Sequence, residues 1–125
     1  MTPTDRAALG ASGEAHARRW LEARGYRFVA ANWRCRSGEL DLVMADGAEL
    51  VVVEVKLRRG ETRGRAEDAI SPAKARKLLD ASAWFVADHP AWHDAVWRID
   101  LVAITLDATG RVERLNHVEN AIAAS

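Results

Sequence analysis

Residues 49–57 constrain the fold of this chain more than any other segment. In an extended strand, Leu50 and Val52 would point to one face, and Val51 and Val53 to the other. A strand that is apolar on both faces belongs at the centre of a sheet, with other elements covering each side. The segment therefore predicts a layered fold with a buried central strand.

The remaining elements follow from hydrophobic periodicity and turn residues. Asp46-Gly47 favours a two-residue hairpin between the second and third strands, and Ser71-Pro72 favours the start of a helix. The predicted elements are a helix over 12–24, strands over 26–31, 40–45 and 49–57, a helix from 71 to about 89, and strands over 97–106 and 112–117. The order αβββαββ predicts one α/β domain spanning residues 1–125.

Composition favours a cytoplasmic protein without a membrane segment. Apolar residues make up 49% of the chain, enough for a core, and charged residues make up 29%. No apolar run reaches the roughly 18–20 residues that span a bilayer, and residues 1–5 lack the pattern of a signal peptide. Cys35 is the only cysteine, so no internal disulfide can form and a reducing compartment is expected.

The charges cancel over the whole chain but are unevenly distributed. Residues 37–55 contain acids and no Lys or Arg, whereas residues 1–36 and 56–77 are rich in basic side chains. An acidic pocket between basic segments suits a metal site with a polyanionic substrate. A normally solvated surface is the other interpretation of the same pattern.

Two acids on neighbouring strands are predicted to converge. Pairing across the predicted turn makes Asp41 a diagonal neighbour of Glu54, and side-chain alternation places Glu39 and Lys56 on the same side of the sheet. Clustered carboxylates repel one another, and Mg²⁺, a hard cation that binds oxygen, would remove that repulsion. The backbone carbonyl of Val55 could add a further ligand.

Lys56 supplies a cation that could hold a scissile phosphate or orient the attacking water. A bound metal lowers the pKa of water and neutralises charge in the transition state, so the set suits hydrolysis of a phosphodiester. A cross-strand salt bridge of Glu39, Glu54 and Lys56, with no ligand, is the alternative.

Glu14 is a further candidate, because it shares the apolar stripe of the first helix with Ala17 and Leu21. An acid on a buried face is costly unless a metal or a basic partner compensates it. Otherwise Glu14 reaches solvent at a frayed helix end.

These residues belong to a longer pattern. The chain resembles the YraN family, small bacterial proteins regarded as predicted endonucleases of the restriction-endonuclease-like superfamily and similar to Holliday-junction resolvases. The resemblance covers nearly the whole chain and rests on these blocks: Gly13-Glu14, Gly25-Tyr26, Asn32-Trp33-Arg34, Gly38-Glu39-Leu40-Asp41-Leu42, Val53-Glu54-Val55-Lys56, Lys74 and Arg98-Ile99-Asp100.

The resemblance implies a mixed β-sheet flanked by helices and magnesium-dependent hydrolysis of DNA, with branched DNA as a candidate substrate and Mn²⁺ as a substitute metal. The metal-binding aspartate of the superfamily matches Asp41, and its glutamate and lysine match Glu54 and Lys56. The helix-one glutamate of the resolvases matches Glu14. Lys74 falls where relatives place a polar or basic residue near the site. A homodimer with two sites would fit a resolvase, although the sequence shows no dimer interface.

The chain departs from the family pattern in two places. Leu40 stands where the superfamily has a proline, and Thr62–Arg65 replaces an aromatic-glycine pair after Lys56. The second departure leaves the substrate contacts of this loop open. The candidate DNA-binding side chains are Arg34, Arg36, Arg58, Arg59, Arg63, Arg65 and Lys74. For the arginines of the loop, a solvated surface explains the positive charge equally well.

Several roles stay open at this stage. Asp100 is either paired with an arginine or a buried polar residue of unassigned role. Trp84, Trp92 and Trp97 are expected in the core or at a dimer contact rather than as base-stacking platforms. Two non-catalytic functions compete with the nuclease: a nucleic-acid-binding or adaptor protein that keeps the fold, and an interaction module whose acids form only salt bridges.

Overall fold

The computed structural model describes residues 3–59 and 70–122, with side chains from residue 13 onward. It is an α/β fold in the order αβββαββ, which confirms the predicted class and fits a restriction-endonuclease-like fold. The elements are α1 (Pro3–Glu22), β1 (Arg27–Cys35), β2 (Gly38–Asp46), β3 (Glu49–Arg59), α2 (Pro72–Asp88), a short 3₁₀ turn (Pro90–Trp92), β4 (Trp97–Leu106) and β5 (Val112–Val118). No helix among the described residues is long and apolar enough to cross a membrane.

The five strands form one mixed sheet in the order β1-β2-β3-β4-β5. All neighbours are antiparallel except β3 and β4, which are parallel. A parallel pair needs a long crossover, and α2 lies between these two strands in the chain. The central position predicted for β3 is confirmed.

The core lies on both faces of the sheet. On one face, Ala17 and Leu21 of α1 belong to a buried cluster with Val51 and Val53 of β3. On the other face, the buried residues of α2 pack with Val52. Both faces of β3 are therefore buried, as its apolar side chains on both faces require.

The hairpin between β2 and β3 differs from the prediction. Asp46 pairs with Glu49, so Gly47-Ala48 forms the turn rather than Asp46-Gly47. Gly47 has a φ of 61°, a left-handed conformation that glycine adopts without steric cost. Displacing the turn by one residue shifts the pairing by two positions. Facing residues change, but in a regular strand a shift of two positions leaves each side chain on the same face of the sheet.

Four strands run further than predicted, and the extensions of β1 and β3 move candidate residues onto strands. β1 continues to Cys35, so Arg34 lies on a strand and the turn contains Arg36 and Ser37. β3 continues to Arg59, which places Arg58 and Arg59 on the strand instead of in the predicted loop. Local turn propensity underestimated both strands because the pairing of neighbouring strands extends them. The predicted contacts of Arg63 and Arg65 lie outside the described residues.

Both helices were predicted, with different bounds for the first. The residue Gly25, with a φ of 92°, lies just beyond the end of α1. Ser71 caps α2, and its Oγ accepts a hydrogen bond from the Lys74 backbone amide at 3.1 Å. Trp84 was expected in the core or at a dimer contact; it is 53% exposed, so it does not pack in the core of this chain. It occupies the outer face of a helix whose opposite face is buried.

Candidate metal centre

Asp41 and Glu54 lie opposite each other where β2 and β3 separate. The last residues paired between the two strands are Leu42 and Val53, and the two acids follow them directly. The predicted diagonal arrangement is therefore wrong, but the predicted proximity is correct. The Asp41 Oδ2 atom accepts a hydrogen bond from the Val55 backbone amide at 3.1 Å. A side chain thus takes the place of a backbone partner at this point of the ladder.

The local backbone explains why the Asp41 side chain enters this gap. Leu40 belongs to the buried cluster on the α2 side, whereas Leu42 belongs to the cluster on the α1 side. Residues two apart normally share one face of a strand. The alternation is interrupted at Asp41, which turns its carboxylate toward β3.

Glu54 is buried in the centre of the site. Only 4% of this residue is exposed. Its Oε1 atom lies 3.7 Å from the Lys74 Nζ atom. Its Oε2 atom has no hydrogen-bond partner within the described parts of the chain. A buried carboxylate oxygen without a partner is costly, so this atom is an acceptor available to a ligand or a proton.

Both acids hold protons more tightly than ordinary carboxyl groups, chiefly because burial disfavours their charged forms. Burial and repulsion from Asp41 raise the pKa of Glu54 to about 7, although the charges of Lys74 and Lys56 oppose the rise. Burial also raises the pKa of Asp41, against the opposing hydrogen bond from Val55 and the charge of Lys74. A protonated Glu54 carboxyl can donate to the Asp41 carboxylate. The pair therefore needs a shared proton or a bound cation in its place.

Glu14 approaches the same pair from α1. It is half-buried, and burial followed by repulsion from Asp41 raises its pKa, while a hydrogen bond with the Asn32 side chain lowers it. Gly13 is buried, and a Cβ atom added there would touch Leu57 at 3.6 Å. The close packing of α1 against the end of β3 thus brings Glu14 to the carboxylate pair. A frayed, fully solvated position does not describe it.

The ion pairs at the site differ from the predicted salt bridge. Glu54 pairs with Lys74 from α2 rather than with Lys56. Glu39 pairs with Arg34 across β1 and β2 at 3.6 Å, where the Arg34 side chain is exposed and the Glu39 side chain is partly exposed. Lys56 is half-buried, and its charge lowers the pKa of Glu54. Two lysines from separate elements therefore act on the carboxylate pair.

The donor set fits a hard divalent cation. Asp41 and Glu54 offer carboxylate oxygens, and both have raised pKa values that a cation would lower. Because the Val55 N–H points toward β2, its carbonyl also points to that side. No group of three or more His, Cys, Asp or Glu side chains gathers as a metal cage among residues 3–59 and 70–122. Mg²⁺ is commonly held by one or two carboxylates together with substrate phosphates.

A second polar cluster lies on the α1 side of β4, away from these acids. Asp100 is fully buried and accepts hydrogen bonds from Arg98 Nε at 3.0 Å and the Asn120 amide at 2.9 Å, and lies 2.8 Å from His117 Nε2. Burial alone would raise the pKa of Asp100, but these bonds lower it below its ordinary value. Arg98 also reaches Glu49 at 2.9 Å. Both descriptions left open for Asp100 therefore apply: it is buried and paired with an arginine.

The resemblance placed Lys74 near the site, but the sequence did not identify its partner or those of Asp100. Ser71-Pro72 located Lys74 in the first turn of α2 but did not indicate that this turn lies against Glu54. Asp100 in an otherwise apolar strand was the available signal for a buried network, because a buried acid requires partners.

Comparison with known proteins bears on the whole chain. A model of the uncharacterised protein family UPF0102 matches residues 13–104. The chain belongs to this family. It is the YraN family that the sequence motifs resemble, so that prediction is confirmed. The matched range includes Glu14, Asp41, Glu54 and Lys74.

Relatives in the UPF0102 family match over nearly their full length. A UPF0102 protein of Pelotomaculum thermopropionicum is 43% identical over 116 residues, covering 93% of this chain and 96% of the relative. One from Beutenbergia cavernae is 46% identical over 113 residues, covering 89% and 95%. One from Stutzerimonas stutzeri is 44% identical over 112 residues, covering 90% and 92%. Their names give the family and no activity.

Proposed function

We propose that this UPF0102 protein is a metal-dependent DNA endonuclease that hydrolyses phosphodiester bonds. The supporting observation is the adjacent pair of Asp41 and Glu54. Burial raises the pKa of both acids, repulsion from Asp41 raises that of Glu54 further, and the Glu54 Oε2 atom has no partner in the described part of the chain. A salt-bridged surface would not place a buried acid beside a second, half-buried acid. Acids placed together to bind a cation lower the stability of the metal-free protein.

Each side chain has a distinct role in this proposal. Asp41, Glu54 and the Val55 carbonyl hold the metal, which when bound would activate water and neutralise charge on the phosphate. Lys56 and Lys74 face the same pair and bind phosphate oxygens. Both lysines stand on regular secondary structure, which fixes their backbone positions relative to the acid pair.

Glu14 acts at the margin of the metal site. Its carboxylate lies close enough to repel Asp41, so it orders a water ligand or contributes to a second cation. Glu39 is held by Arg34 at 3.6 Å and is a lesser candidate. Mn²⁺, which also binds carboxylate oxygens, would replace Mg²⁺.

The substrate, assembly and location are finer parts of the proposal. Branched DNA follows from the resemblance to junction resolvases, and cleavage of two strands would be served by a homodimer with two sites. A cytoplasmic location would give access to DNA. The exposed Arg36 of the β1–β2 turn would contact phosphates beside the site.

A cleavage panel tests the catalytic reading. Labelled four-way junction, flap, single-stranded and linear duplex DNA would be incubated with Mg²⁺ or Mn²⁺ and the wild-type chain, Glu54→Gln or Lys56→Ala. We expect cleavage by the wild type and none by either variant. The matched control is Glu22→Gln, which removes an exposed acid that pairs with Arg18 at 3.3 Å and should leave cleavage unchanged.

Two results would contradict the nuclease proposal. Absence of cleavage of every substrate, with DNA binding equal in wild type and variants, would favour an adaptor that keeps the fold. Cleavage that persists in Glu54→Gln would indicate a contaminating nuclease or a different site.

A further inference from the structure

The outer face of α2 carries an exposed indole beside an open groove. Trp84 is 53% exposed, whereas Trp92 and Trp97 are partly buried against the α2-side core. The groove has a volume of about 490 Å³ and is lined by Ser37, Asp80, Ala83, Trp84 and Ala87. Two alanines and one aromatic ring give it a flat, largely apolar floor. A planar apolar group fits such a surface.

The groove and the candidate metal centre both lie against α2, at different positions along the helix. Lys74 contacts Glu54 in the first turn of this helix. Lys77 lies beside the β1–β2 turn, since a Cβ atom added at Gly38 would stand 4.0 Å from the Lys77 Cβ. Lys77 and Trp84 are seven residues apart and so share one face of the helix. At about 1.5 Å per residue, Trp84 lies roughly 15 Å along the axis from Lys74.

Charge divides this face into two parts. The end nearer the metal centre carries Lys74, Lys77 and, in the adjoining turn, Arg36. The groove itself carries one charged side chain, Asp80, among its lining residues. A phosphate backbone is attracted to the first part and repelled by the second. An uncharged base suits the second part, and the Asp80 carboxylate can accept a hydrogen bond from an exocyclic amino group.

We infer that the groove binds an unpaired nucleobase stacked on Trp84, in a strand whose phosphate occupies the metal centre. The inference rests on the proposed function and narrows its substrate class. A base inside a duplex is stacked on both sides and cannot cover the indole face. The protein therefore selects DNA with unpaired nucleotides near the reacting phosphate, such as single strands, flaps and open junctions. Stacking on an aromatic side chain accepts any base.

Equilibrium binding without metal tests the groove independently of cleavage. Fluorescence anisotropy in excess EDTA would compare a labelled single-stranded oligonucleotide with the duplex of the same sequence. The proteins are the full-length wild type, Trp84→Ala and Trp84→Phe. Base stacking contributes about 1–3 kcal/mol, so we expect Trp84→Ala to weaken single-strand binding roughly 5- to 150-fold. Trp84→Phe should retain most of the affinity, and duplex binding should not change.

The matched control is Val96→Ala, which trims another exposed apolar side chain, one that is 68% exposed. It should bind both DNAs as the wild type does. Thermal unfolding of each variant checks that the fold is kept, as expected for a side chain outside the core.

Three outcomes would overturn the inference. The first is equal single-strand affinity in wild type and Trp84→Ala, or no measurable binding by the wild type. The second is an equal loss for single-stranded and duplex DNA. The third is a change in the sedimentation of the free protein without a change in DNA affinity, which would assign Trp84 to a contact with a second copy. If no DNA is cleaved but the binding results are as expected, the nuclease proposal would be rejected, and the proposal that the groove binds a nucleobase would stand.

Discussion

Replacing Glu54 with glutamine should stabilise the metal-free protein at neutral and alkaline pH. The substitution keeps the shape of the side chain and removes the charge that burial and Asp41 disfavour. It also allows the amide to donate a hydrogen bond to the Asp41 carboxylate. Because only the ionised form of Glu54 destabilises the folded protein, the stability gained by the substitution depends on pH. A change in packing would give the same gain at every pH.

The size of the effect follows from the pKa of Glu54. Its rise from the ordinary value of 4.5 to about 7, at about 1.4 kcal/mol for each unit, corresponds to about 3 kcal/mol of destabilisation when Glu54 is ionised. Below pH 4.5 the carboxyl is protonated in both the folded and unfolded chain, and its contribution is fully favourable. As the pH rises from 4.5 to about 7, that stability is progressively lost. Above pH 7 the loss is complete.

Urea unfolding in EDTA at pH 5, 6, 7 and 8 measures this dependence. We expect the stability difference between Glu54→Gln and wild type to grow with pH and to approach about 3 kcal/mol at pH 8. Saturating Mg²⁺ should stabilise the wild type, by about 2.7 kcal/mol at a hundredfold excess over Kd, and should not stabilise the variant. Glu22→Gln, at an exposed surface pair, should differ from wild type by less than about 1 kcal/mol at every pH.

A difference that stays constant from pH 5 to pH 8 would refute this reasoning, because the effect would then arise from packing. A variant less stable than wild type at pH 8 in EDTA would refute it more directly, since the Lys74 ion pair would then outweigh the repulsion from Asp41.

Two further predictions concern stability alone. Asp100→Ala should lower the free energy of unfolding by about 3–5 kcal/mol, because it leaves Arg98 and His117 without their buried partner. Urea unfolding measures this loss, with the exposed Asp88→Ala as the control. A loss below about 1 kcal/mol would contradict the prediction. Ser71→Ala should lower the free energy of unfolding by about 1 kcal/mol through loss of the α2 cap. Ser71→Asp keeps a hydrogen-bond acceptor and should have the unfolding midpoint of the wild type. Equal midpoints for the wild type and both variants would exclude a capping role.

Some features were predictable because they depend on neighbouring residues. The apolar pattern of β3 placed it at the centre of the sheet, and Ser71-Pro72 located the start of α2. β4 has the predicted bounds, Trp97–Leu106. In each case the signal comes from side chains within a few positions, through alternation or capping.

The hairpin shows where local signals become ambiguous. Both Asp46-Gly47 and Gly47-Ala48 place glycine in a two-residue turn, so turn chemistry alone does not choose between them. Pairing of β2 with β3 selects the second. The approach of Asp41 to Glu54 was predicted despite this error, because a shift of two positions still leaves the two acids on neighbouring strands at the same level of the sheet.

The sequence alone determined the class of the fold, the central strand and the proximity of the two acids beside it, because strand alternation and helix capping act over a few residues. The tertiary structure alone decided that Lys74 reaches Glu54, that Asp100 collects Arg98 and His117, and that Trp84 faces outward. These outcomes depend on how the crossover through α2 and the pairing of distant strands bring together residues far apart in the chain. A pattern of neighbouring residues does not predict which distant residues come into contact.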